Sequence, residues 1–449
     1  MKKRSNLPRG MNDRHAQEWY GYRRLQEDWH QITHLYGYQT VKISPVGFAD
    51  TFTYQNNASL RRIYQFHDQK NRLLALNSDS IPAMLRIYLS GNKCTVRNSF
   101  FCDIFRYARQ PLRHFYFLGI TEVFSSVDHA HELDVQICKR MLSISCDFLE
   151  NKAPAFVSVN NIKFWKEFFS FFIPDNEHRI FLHKRLAKLS GLAAYTLLLD
   201  EFTDPSLKSF LALLYTQTSS CAAYKRIRYT LLGKCSHLIY LLDDIFQLSI
   251  LFSGRKGITV QPDLFNFHAF EFHDGLMYEI VDSTKKIRFG DGGVYHQYAS
   301  EFVGEKTLLY SSVIVPHRLL NNFKIYEAES TADVMICLEK GLLNHPVAEH
   351  LLQALRDKKI RVYDVLFSRP KSHYLELKRL SIPYLVFIRQ KDIENNAIKV
   401  YSSNRGSLQS FNFLDLSKFL KSTVKNSQCQ INWHTTSSSI FSGSIAGEE

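Results

Sequence analysis

Two arginines in one apolar stretch carry the clearest chemical signal in this sequence of 449 residues. The stretch runs from Phe105 to Phe124, and Arg106 and Arg113 stand at the ends of a polar loop that includes Arg109 and Pro111. A guanidinium group keeps its charge at neutral pH and binds two oxygen atoms at once. Two strands joined by such a loop predict a cradle for a polyphosphate, and a surface hairpin with solvated arginines is the alternative.

Several short motifs in a fixed order make the chain resemble class II aminoacyl-tRNA synthetases of the histidyl branch. The arginine-containing stretch resembles their motif 2, and the other matching segments are Arg9 to Asp13 (RGMND), Tyr36 to Pro45 (YGYQTVKISP, similar to motif 1), Ile63 to Asp68 (IYQFHD) and Asp291 to Tyr295 (DGGVY). The chain after Ala332 resembles the family's anticodon-binding domain. The resemblance implies an α+β fold, with a class II antiparallel sheet core, a helical insertion and a C-terminal α/β domain. It also implies a homodimer that binds tRNA.

The resemblance assigns the groups that such an enzyme needs to activate an amino acid with ATP and magnesium. Arg106 falls on the motif 2 arginine, Arg113 on a second arginine of that motif, and Arg318 on the motif 3 arginine. All three would bind phosphate, and Arg106 and Arg318 would be catalytic in an active enzyme, because developing negative charge must be met by cations. The residues that would bind the amino acid are Asp79, Glu122 and Tyr295.

Other expected groups are replaced by residues that cannot form the same bonds. Ala108 stands where the family has an acid for the adenine amino group, and Phe117 stands where it has a glutamine. Val294 and His296 replace an arginine and an aspartate of the family's glycine signature. Ser311 to Ile314 are predicted to crowd a base along the motif 3 strand. Each buried polar group without a partner costs about 1–3 kcal/mol, so we expect standard histidine activation to be lost.

Two further absences from the sequence narrow the chemistry. No arginine occurs between Gly257 and Ile287, where the family places a cation at the α-phosphate. The eight cysteines include no pair at CxxC spacing, so the sequence predicts no metal site. Cysteines dispersed in apolar surroundings are typical of thiols in a reducing compartment, and a cytoplasmic location is expected.

The pattern along the chain predicts how these groups are positioned. Strands are predicted at Leu264 to Phe272 and Leu276 to Val281, and a tight glycine turn at Asp291 to Gly293. Alternating strands and helices after the linker predict a sheet flanked by helices. The predicted divisions are a first core part at 1–150, a helical insertion at 151–255, a second core part at 256–325, an anticodon-binding-like domain at 332–421 and a flexible tail at 422–449.

Charge and hydropathy limit the class of partner. The chain carries 56 Lys and Arg against 43 Asp and Glu, a formal charge of +13. Such a charge favours a polyanion, and RNA fits this requirement, although solubility alone is the alternative. The sequence shows no apolar run of membrane-spanning length, and its basic start has no apolar core of a secretory signal, so no membrane partner is expected.

These observations favour one function and keep two others open. The favoured hypothesis is a histidyl-tRNA synthetase-like paralogue that binds tRNA or another RNA, or regulates a partner, without standard histidine activation. The second is a divergent ATP-dependent ligase for another amino acid, since Arg106, Arg113, Arg318 and Asp79 are present. The third is a plain RNA-binding or scaffold protein.

Overall fold

The chain divides into two compact units, Met1–Tyr326 and Glu327–Glu449. The computed structural model describes residues 7–53, 63–91, 93–107, 112–125, 130–216, 221–252, 254–267, 272–323, 325–326, 330, 332–342, 345–366, 370–403 and 406–428. Ala108 and positions 429–449 of the predicted tail therefore lie outside the described residues.

Two sheets belong to the first unit. Their strands are β1 (Gln39–Val41), β2 (Val46–Phe48), β3 (Gln65–His67), β4 (Leu73–Leu76), β5 (Val96–Phe105), β6 (His114–Ser125), β7 (Ala155–Asn161), β8 (Ile258–Pro262), β9 (Leu276–Asp282), β10 (Arg288–Val294) and β11 (Thr307–Ile314). The large sheet has the order β1-β5-β6-β11-β10-β9-β7-β8, and the small one the order β2-β4-β3. All neighbours are antiparallel except β1 with β5 and β7 with β8. This mixed, mainly antiparallel sheet confirms the predicted core.

Helices pack on the large sheet and fill the predicted insertion. They are α1 (Ala16–Leu35), α2 (Ala49–Thr53), α3 (Ser80–Ser90), α4 (Ala130–Leu149), α5 (Ile162–Phe172), α6 (Asn176–Leu186), α7 (Gly191–Glu201), α8 (Pro205–Thr216), α9 (Cys221–Lys234), α10 (Ile239–Leu251), α11 (His296–Val303) and α12 (Pro316–Asn322). A short 3₁₀ turn, Ser236–Leu238, precedes α10. α12 begins with Pro316, whose missing N–H has no partner to lose at a helix start.

The two faces of the large sheet differ in what covers them. Successive side chains of a strand point to opposite faces. Phe117 of β6 packs with residues of α3, so we call that side the α3 face. Leu118 and Ile120 pack instead with residues of α1 and α4, and we call that side the α4 face. Which face a β6 residue occupies therefore decides whether it meets α3 or is sealed under α1 and α4.

The predicted helical insertion includes a strand of the central sheet. β7 pairs with β9 and with β8, so residues 155–161 belong to the core and not to a purely helical segment. Six of its seven residues are buried, on both faces of the sheet. A strand covered on both sides has no polar–apolar alternation, which is why the sequence pattern did not reveal it.

Two local predictions between residues 264 and 293 are wrong. Residues 264–267 form a turn with one isolated bridge instead of the start of a strand. The predicted glycine turn lies inside β10, where Gly292 pairs with Tyr278 and with Ser312. A Cβ on Gly292 would lie 2.6 Å from the Tyr278 ring, and one on Gly290 would lie 2.0 Å from the Val313 carbonyl oxygen. The glycines thus permit close packing within a strand.

The second unit has a five-stranded sheet flanked by helices, as predicted. Its elements are β12 (Val334–Leu338), α13 (Pro346–Asp357), β13 (Val362–Leu366), α14 (Pro370–Arg379), β14 (Tyr384–Ile388), α15 (Gln390–Glu394), β15 (Ile398–Ser402), β16 (Ser407–Phe411) and α16 (Phe413–Gln428), with a 3₁₀ turn at Lys340–Leu342. The strand order is β13-β12-β14-β15-β16, with β12 parallel to both neighbours. α16 extends beyond the predicted boundary at 421, so the first residues of the predicted tail are helical.

Candidate active site

The β5–β6 hairpin positions two of the predicted phosphate-binding arginines. Its register runs from Val96 opposite Val123 to Phe105 opposite His114. Beyond the last pair, the amide of Arg106 donates to the carbonyl of Arg113 at 2.9 Å, so the two residues face each other at the base of the loop. Both arginines therefore stand at the end of the hairpin where the sequence predicts a phosphate cradle.

The N-terminal RGMND segment fastens this hairpin. The carbonyl oxygen of Gly10 accepts hydrogen bonds from the amides of Arg113 at 2.9 Å and His114 at 3.1 Å. Gly10 has φ +81°, and a Cβ there would lie 2.6 Å from Cγ of Arg113. Only glycine tolerates both the conformation and the contact. This contact gives a structural reason for a motif that the sequence identified only by resemblance.

Arg106 and Asp79 form an ion pair with each other. The Arg106 guanidinium donates to the Ser78 carbonyl oxygen at 2.9 Å and to the Asp79 carboxylate at 3.1 Å. Asp79 also caps α3, since its side chain accepts the amide of Ile81 at 3.1 Å. The two side chains are 38% and 45% exposed, so the pair is open to solvent. Arg106, which is predicted to bind phosphate, and Asp79, which is predicted to bind the amino acid, are thus paired with each other.

Arg318 lies beside an arginine that the sequence interpretation missed. Its guanidinium donates to the Arg288 carbonyl oxygen at 2.7 Å, and the Arg288 side chain lies 3.4 Å from a carboxylate oxygen of Glu279. Burial lowers the pKa of Arg318, with Arg288 and Arg106 acting in the same direction and Asp291 opposing them. Arg288 lies one residue beyond the segment from Gly257 to Ile287 in which the family's cation is expected.

Tyr295 is largely buried and lies close enough to Asp79 for that charge to raise its pKa. Its ring centroid lies 4.3 Å from that of His273, and it is 8% exposed. Burial raises the pKa of Tyr295 well above its usual value, and the charges of Asp291 and Asp79 raise it further. The structure therefore brings together Arg106, Arg318, Asp79 and Tyr295, and it adds Asp291 to them.

Glu122 lies apart from this group, on the α4 face. Its carboxylate accepts two hydrogen bonds from Arg140, at 2.9 and 2.7 Å, and one from the Tyr38 hydroxyl. Arg97 lies 3.3 Å from it. Glu122 is completely buried, and every one of these partners comes from the α4 side of the sheet. This position corrects the assignment of Glu122 to an amino-acid pocket; the expected acid position, one residue earlier, is taken by Thr121.

The residues predicted to crowd a base divide between the faces. Ser311 lies on the α3 face, where its hydroxyl is 3.1 Å from that of Thr121, and Val313 packs there beside Phe115 and Phe117. Ser312 points to the α4 face, toward the Ser145 hydroxyl at 3.3 Å. Only alternate residues of β11 therefore narrow the pocket, because strand side chains alternate.

His317 marks the apolar margin of the site. Its ring centroid lies 5.6 Å from that of Phe115. Burial lowers the pKa of His317 to about 4, and the charges of Arg318 and Arg14 lower it further. The Arg106 guanidinium lies 5.8 Å from the Phe115 ring and 5.5 Å from the Phe117 ring. Arg106 therefore stands against an aromatic wall.

Comparison with known proteins identifies the scaffold. The family model described as histidyl-tRNA synthetase matches residues 10–308, and the anticodon binding domain model matches residues 333–423. The chain belongs to the histidyl-tRNA synthetase family. It is 22% identical over 418 residues to a histidine–tRNA ligase of Sulfolobus acidocaldarius, covering 87% of this chain and 92% of that protein. A histidine–tRNA ligase of Mycoplasma pneumoniae is 36% identical over 88 residues, 18% of this chain and 20% of that protein.

Solved structures show the same fold. The histidyl-tRNA synthetase of Nostoc sp. PCC 7120 superimposes with a TM-score of 0.76 at 16% identity, covering 94% of this chain and all of that one. A structure from Bacillus halodurans C, described as an ATP phosphoribosyltransferase regulatory subunit/histidyl-tRNA synthetase, gives 0.71 at 14% identity, covering 86% and 99%. The predicted class II synthetase domain with a C-terminal α/β anticodon-binding domain is thereby confirmed.

His296, at the end of the family's glycine signature, forms hydrogen bonds with two other elements in this member. His296 Nδ1 accepts the amide of Leu309 at 3.0 Å, so its proton resides on Nε2, which lies 2.9 Å from the Asp134 carboxylate. The Tyr310 hydroxyl donates to the same carboxylate at 2.8 Å. Val294 is buried in the apolar core of the first unit. The two altered positions thus serve packing and helix placement in this family member.

The described residues form neither a metal site nor a membrane-spanning helix. In that part of the chain, no cluster of three or more His, Cys, Asp or Glu side chains is arranged to hold a metal ion. None of the helices described has the length and apolar character needed to cross a membrane.

Proposed function

We propose that this histidyl-tRNA synthetase family member binds tRNA or another RNA, or regulates a partner, without activating histidine by the family's usual contacts. The observation that carries this proposal is Phe117, which stands at the family's glutamine position and is buried in the apolar wall of the pocket. In addition, the acid of the pocket, Asp79, is paired with Arg106. An incoming ammonium group must displace Arg106 from Asp79 before it can bind there. With Glu122 sealed on the α4 face, no second acid stands at the expected position.

The wall of the pocket also disfavours the polar ring of histidine. Phe117, at the family's glutamine position, is 6% exposed and packs with Phe100, Cys102 and Ile104. A buried donor or acceptor of a ligand that meets this wall loses its bond to water without replacement. Each such loss costs about 1–3 kcal/mol, equivalent to roughly 5- to 150-fold in affinity.

The nucleotide requirement is met only in part. Arg106, Arg113 and Arg318 would hold a triphosphate, and ATP with magnesium is the cofactor that the family implies. Binding of the adenine amino group would depend on the segment containing Ala108, an alanine that has no acceptor in its side chain. We therefore propose that any nucleotide is held mainly through its phosphates.

RNA binding is supported by a separate part of the chain. Residues 333–423 match the anticodon binding domain, and the whole chain carries +13. Neutralisation of phosphates by Lys and Arg releases counterions, so affinity for tRNA should fall steeply as salt rises. This unit does not depend on the altered pocket, and the two functions can separate.

We also propose that the protein is a homodimer. Trp19 and Leu35 of α1 are 38% and 84% exposed, although α1 packs its other side on the core. Trp19 and Leu35 lie at opposite ends of α1, so the main support for a dimer is the family to which the chain belongs. Light scattering should give twice the 52.3 kDa of one chain, and a mass equal to one chain would reject the dimer.

A divergent ligase is the second candidate function. The observation that favours it is Arg288, which pairs with Glu279 beside Arg318 and could supply the cation lost from the preceding segment. In such an enzyme the Arg106–Asp79 pair would open to admit ATP and an amino acid other than histidine. Arg288→Gln should then lower activity strongly, because charge developing on phosphate would lose a cation.

ATP–pyrophosphate exchange with each of the twenty amino acids tests these proposals. We expect no exchange above background for the wild-type chain, together with salt-dependent tRNA binding in a filter assay. Exchange with histidine that disappears in Arg106→Ala would overturn the first proposal. Exchange with a different amino acid would instead establish the divergent ligase.

A further inference from the structure

The small sheet of the first unit presents aromatic side chains to solvent. Phe48 of β2 and Phe66 of β3 both pair with Leu74 of the central strand β4. Residues directly opposite one another point to the same face, so the two rings stand in one row, about 10 Å apart across two strand spacings. Phe48 is 50% exposed and Phe66 is 41% exposed.

The opposite face of this sheet is the one that contributes to the core. Ala75 is completely buried there in a cluster with Ala49, Phe52 and Ile63. The row of Phe48 and Phe66 is therefore not needed to close a core. Contiguous exposed apolar surface is characteristic of interaction sites.

Two tyrosines continue the row toward the candidate active site. Tyr64, two residues before Phe66, meets the Tyr107 ring edge-on with their centroids 5.6 Å apart. Tyr107 is 52% exposed and follows Arg106 at the end of β5. Phe48, Phe66, Tyr64 and Tyr107 together form what we call the aromatic strip.

Arginines stand at both ends of the aromatic strip. The Arg113 guanidinium lies 4.3 Å from the Tyr107 ring, and that of Arg72 lies 5.7 Å from the Phe48 ring. Arg72 also donates to the Asp68 carboxylate through Nε at 2.7 Å and Nη2 at 2.6 Å, so part of its charge is neutralised there. Lys70, in the turn between β3 and β4, is also exposed. The surface therefore combines exposed rings with positive charge.

This combination selects one kind of occupant. An unpaired nucleic acid strand offers base faces that stack on aromatic rings and phosphates that pair with arginines. In a duplex the base faces are stacked on one another and cannot contact the rings. An apolar protein segment has no negative charge to pair with the arginines. We propose that the aromatic strip binds an unpaired RNA segment by base stacking and leads it toward Arg113. This inference rests on the RNA binding proposed above and assigns it a second surface, on the first unit.

A matched pair of substitutions tests the strip in the full-length chain. The test variant is the double change Phe48→Leu and Phe66→Leu, which keeps apolar side chains and removes both rings. The control is Phe181→Leu in α6, where the ring is 58% exposed and carries the Arg185 guanidinium at 5.5 Å. Fluorescence anisotropy would follow three labelled probes: a single-stranded RNA of about eight nucleotides, a hairpin duplex RNA and a tRNA transcript.

We expect the double variant to lose about 10-fold or more in affinity for the single strand, because stacking of each base contributes on the order of 1–3 kcal/mol. The double variant should bind the duplex as tightly as the wild type does, and Phe181→Leu should bind all three probes like the wild type. The double change Phe48→Tyr and Phe66→Tyr keeps both rings, so it should bind the single strand with wild-type affinity. Thermal melting of each variant would verify the fold.

The outcomes separate this inference from the proposed function. Suppose that the wild-type chain binds tRNA and that the Leu double variant binds the single strand as tightly as the wild type does. This result would overturn the inference about the aromatic strip and leave the proposed function standing. Equal losses for single strand and duplex, or for the Phe181 control, would overturn it too. A double variant that keeps RNA affinity but loses a protein partner would reassign the surface to protein docking. Failure of the wild type to bind any RNA would overturn both.

Discussion

Two arginine–carboxylate pairs lie on opposite faces of the large sheet and differ in burial and in their hydrogen-bond partners. On the α4 face, Glu122 is completely buried and receives hydrogen bonds from Arg140 and Tyr38. On the α3 face, Arg106 and Asp79 meet at 3.1 Å with more than a third of each side chain exposed. The first pair is fixed by its surroundings, and the second can exchange its partners for a ligand.

The difference shows that burial decides the role of a charged pair. A buried charge has lost its hydration, so it depends on each partner and cannot release one without a large penalty. A pair that water can reach gains little from pairing and loses little when it opens. Charged side chains can therefore bind a ligand on the α3 face, whereas the completely buried Glu122 lies on the α4 face.

Glu122→Ala should produce the largest effect of the changes considered. It leaves the Arg140 guanidinium and the Tyr38 hydroxyl without their acceptor under α4. We expect a loss of about 3–5 kcal/mol in the free energy of unfolding, as for other broken buried pairs. Urea denaturation followed by circular dichroism would measure it. A loss no greater than that of Asp79→Ala would contradict the distinction between the faces.

Acidic pH should weaken the α3 face through His317. Its pKa is about 4 in the folded chain against 6.5 when unperturbed, so below pH 6.5 the unfolded chain binds the proton and the folded chain does not. The contribution of neutral His317 to the free energy of unfolding is therefore fully present above pH 6.5 and decreases by about 3 kcal/mol as the pH falls to 4. The difference in unfolding free energy between wild type and His317→Asn, measured across this range, isolates the contribution. A difference independent of pH would contradict it.

His296→Ala should have an intermediate effect, because His296 joins α11 to Asp134 of α4. The change leaves the Leu309 amide and one bond of the Asp134 carboxylate unmet. We expect a loss of about 2 kcal/mol, measured by the same denaturation. Phe181→Leu serves as a control for general sensitivity. Wild-type stability in His296→Ala would show that the rebuilt signature has no structural role.

Asp79→Ala should have the smallest effect on stability. It removes a solvent-exposed ion pair and the N-cap of α3, for a combined loss of about 1 kcal/mol. Since it also frees Arg106, phosphate-mediated binding of ATP should tighten or stay equal in isothermal titration calorimetry. Weaker ATP binding would mean that Asp79 holds Arg106 in its binding position, and the contrast between the two pairs would then need revision.

Much of the fold follows from local patterns in the sequence. The β5–β6 hairpin and the strand–helix alternation of the second unit both lie close to their predicted positions. Each has a periodic apolar pattern or a turn signal within its own segment. β7 and β10 did not show one, because β7 is covered on both sides and the glycines of β10 resemble a turn.

The candidate site was predicted less completely than the fold. Motif position identified Arg106, Arg113 and Arg318, and the structure places Arg106 and Arg318 in one electrostatic neighbourhood. Motif position did not reveal that Asp79 pairs with Arg106, or that Arg288 lies beside Arg318. Those contacts join residues from separate elements, and no spacing along the chain encodes them.

By itself, the sequence determined the family scaffold, the order of its elements and the residue types available for phosphate binding, because periodicity, turn chemistry and motif order are local properties. The tertiary structure alone decided which charges are buried and which remain open to a ligand. The face on which Glu122 lies depends on a single-residue shift in β6, since neighbouring side chains of a strand point to opposite sides. That one shift places a carboxylate beneath α4 and leaves Asp79 with Arg106 on the accessible side.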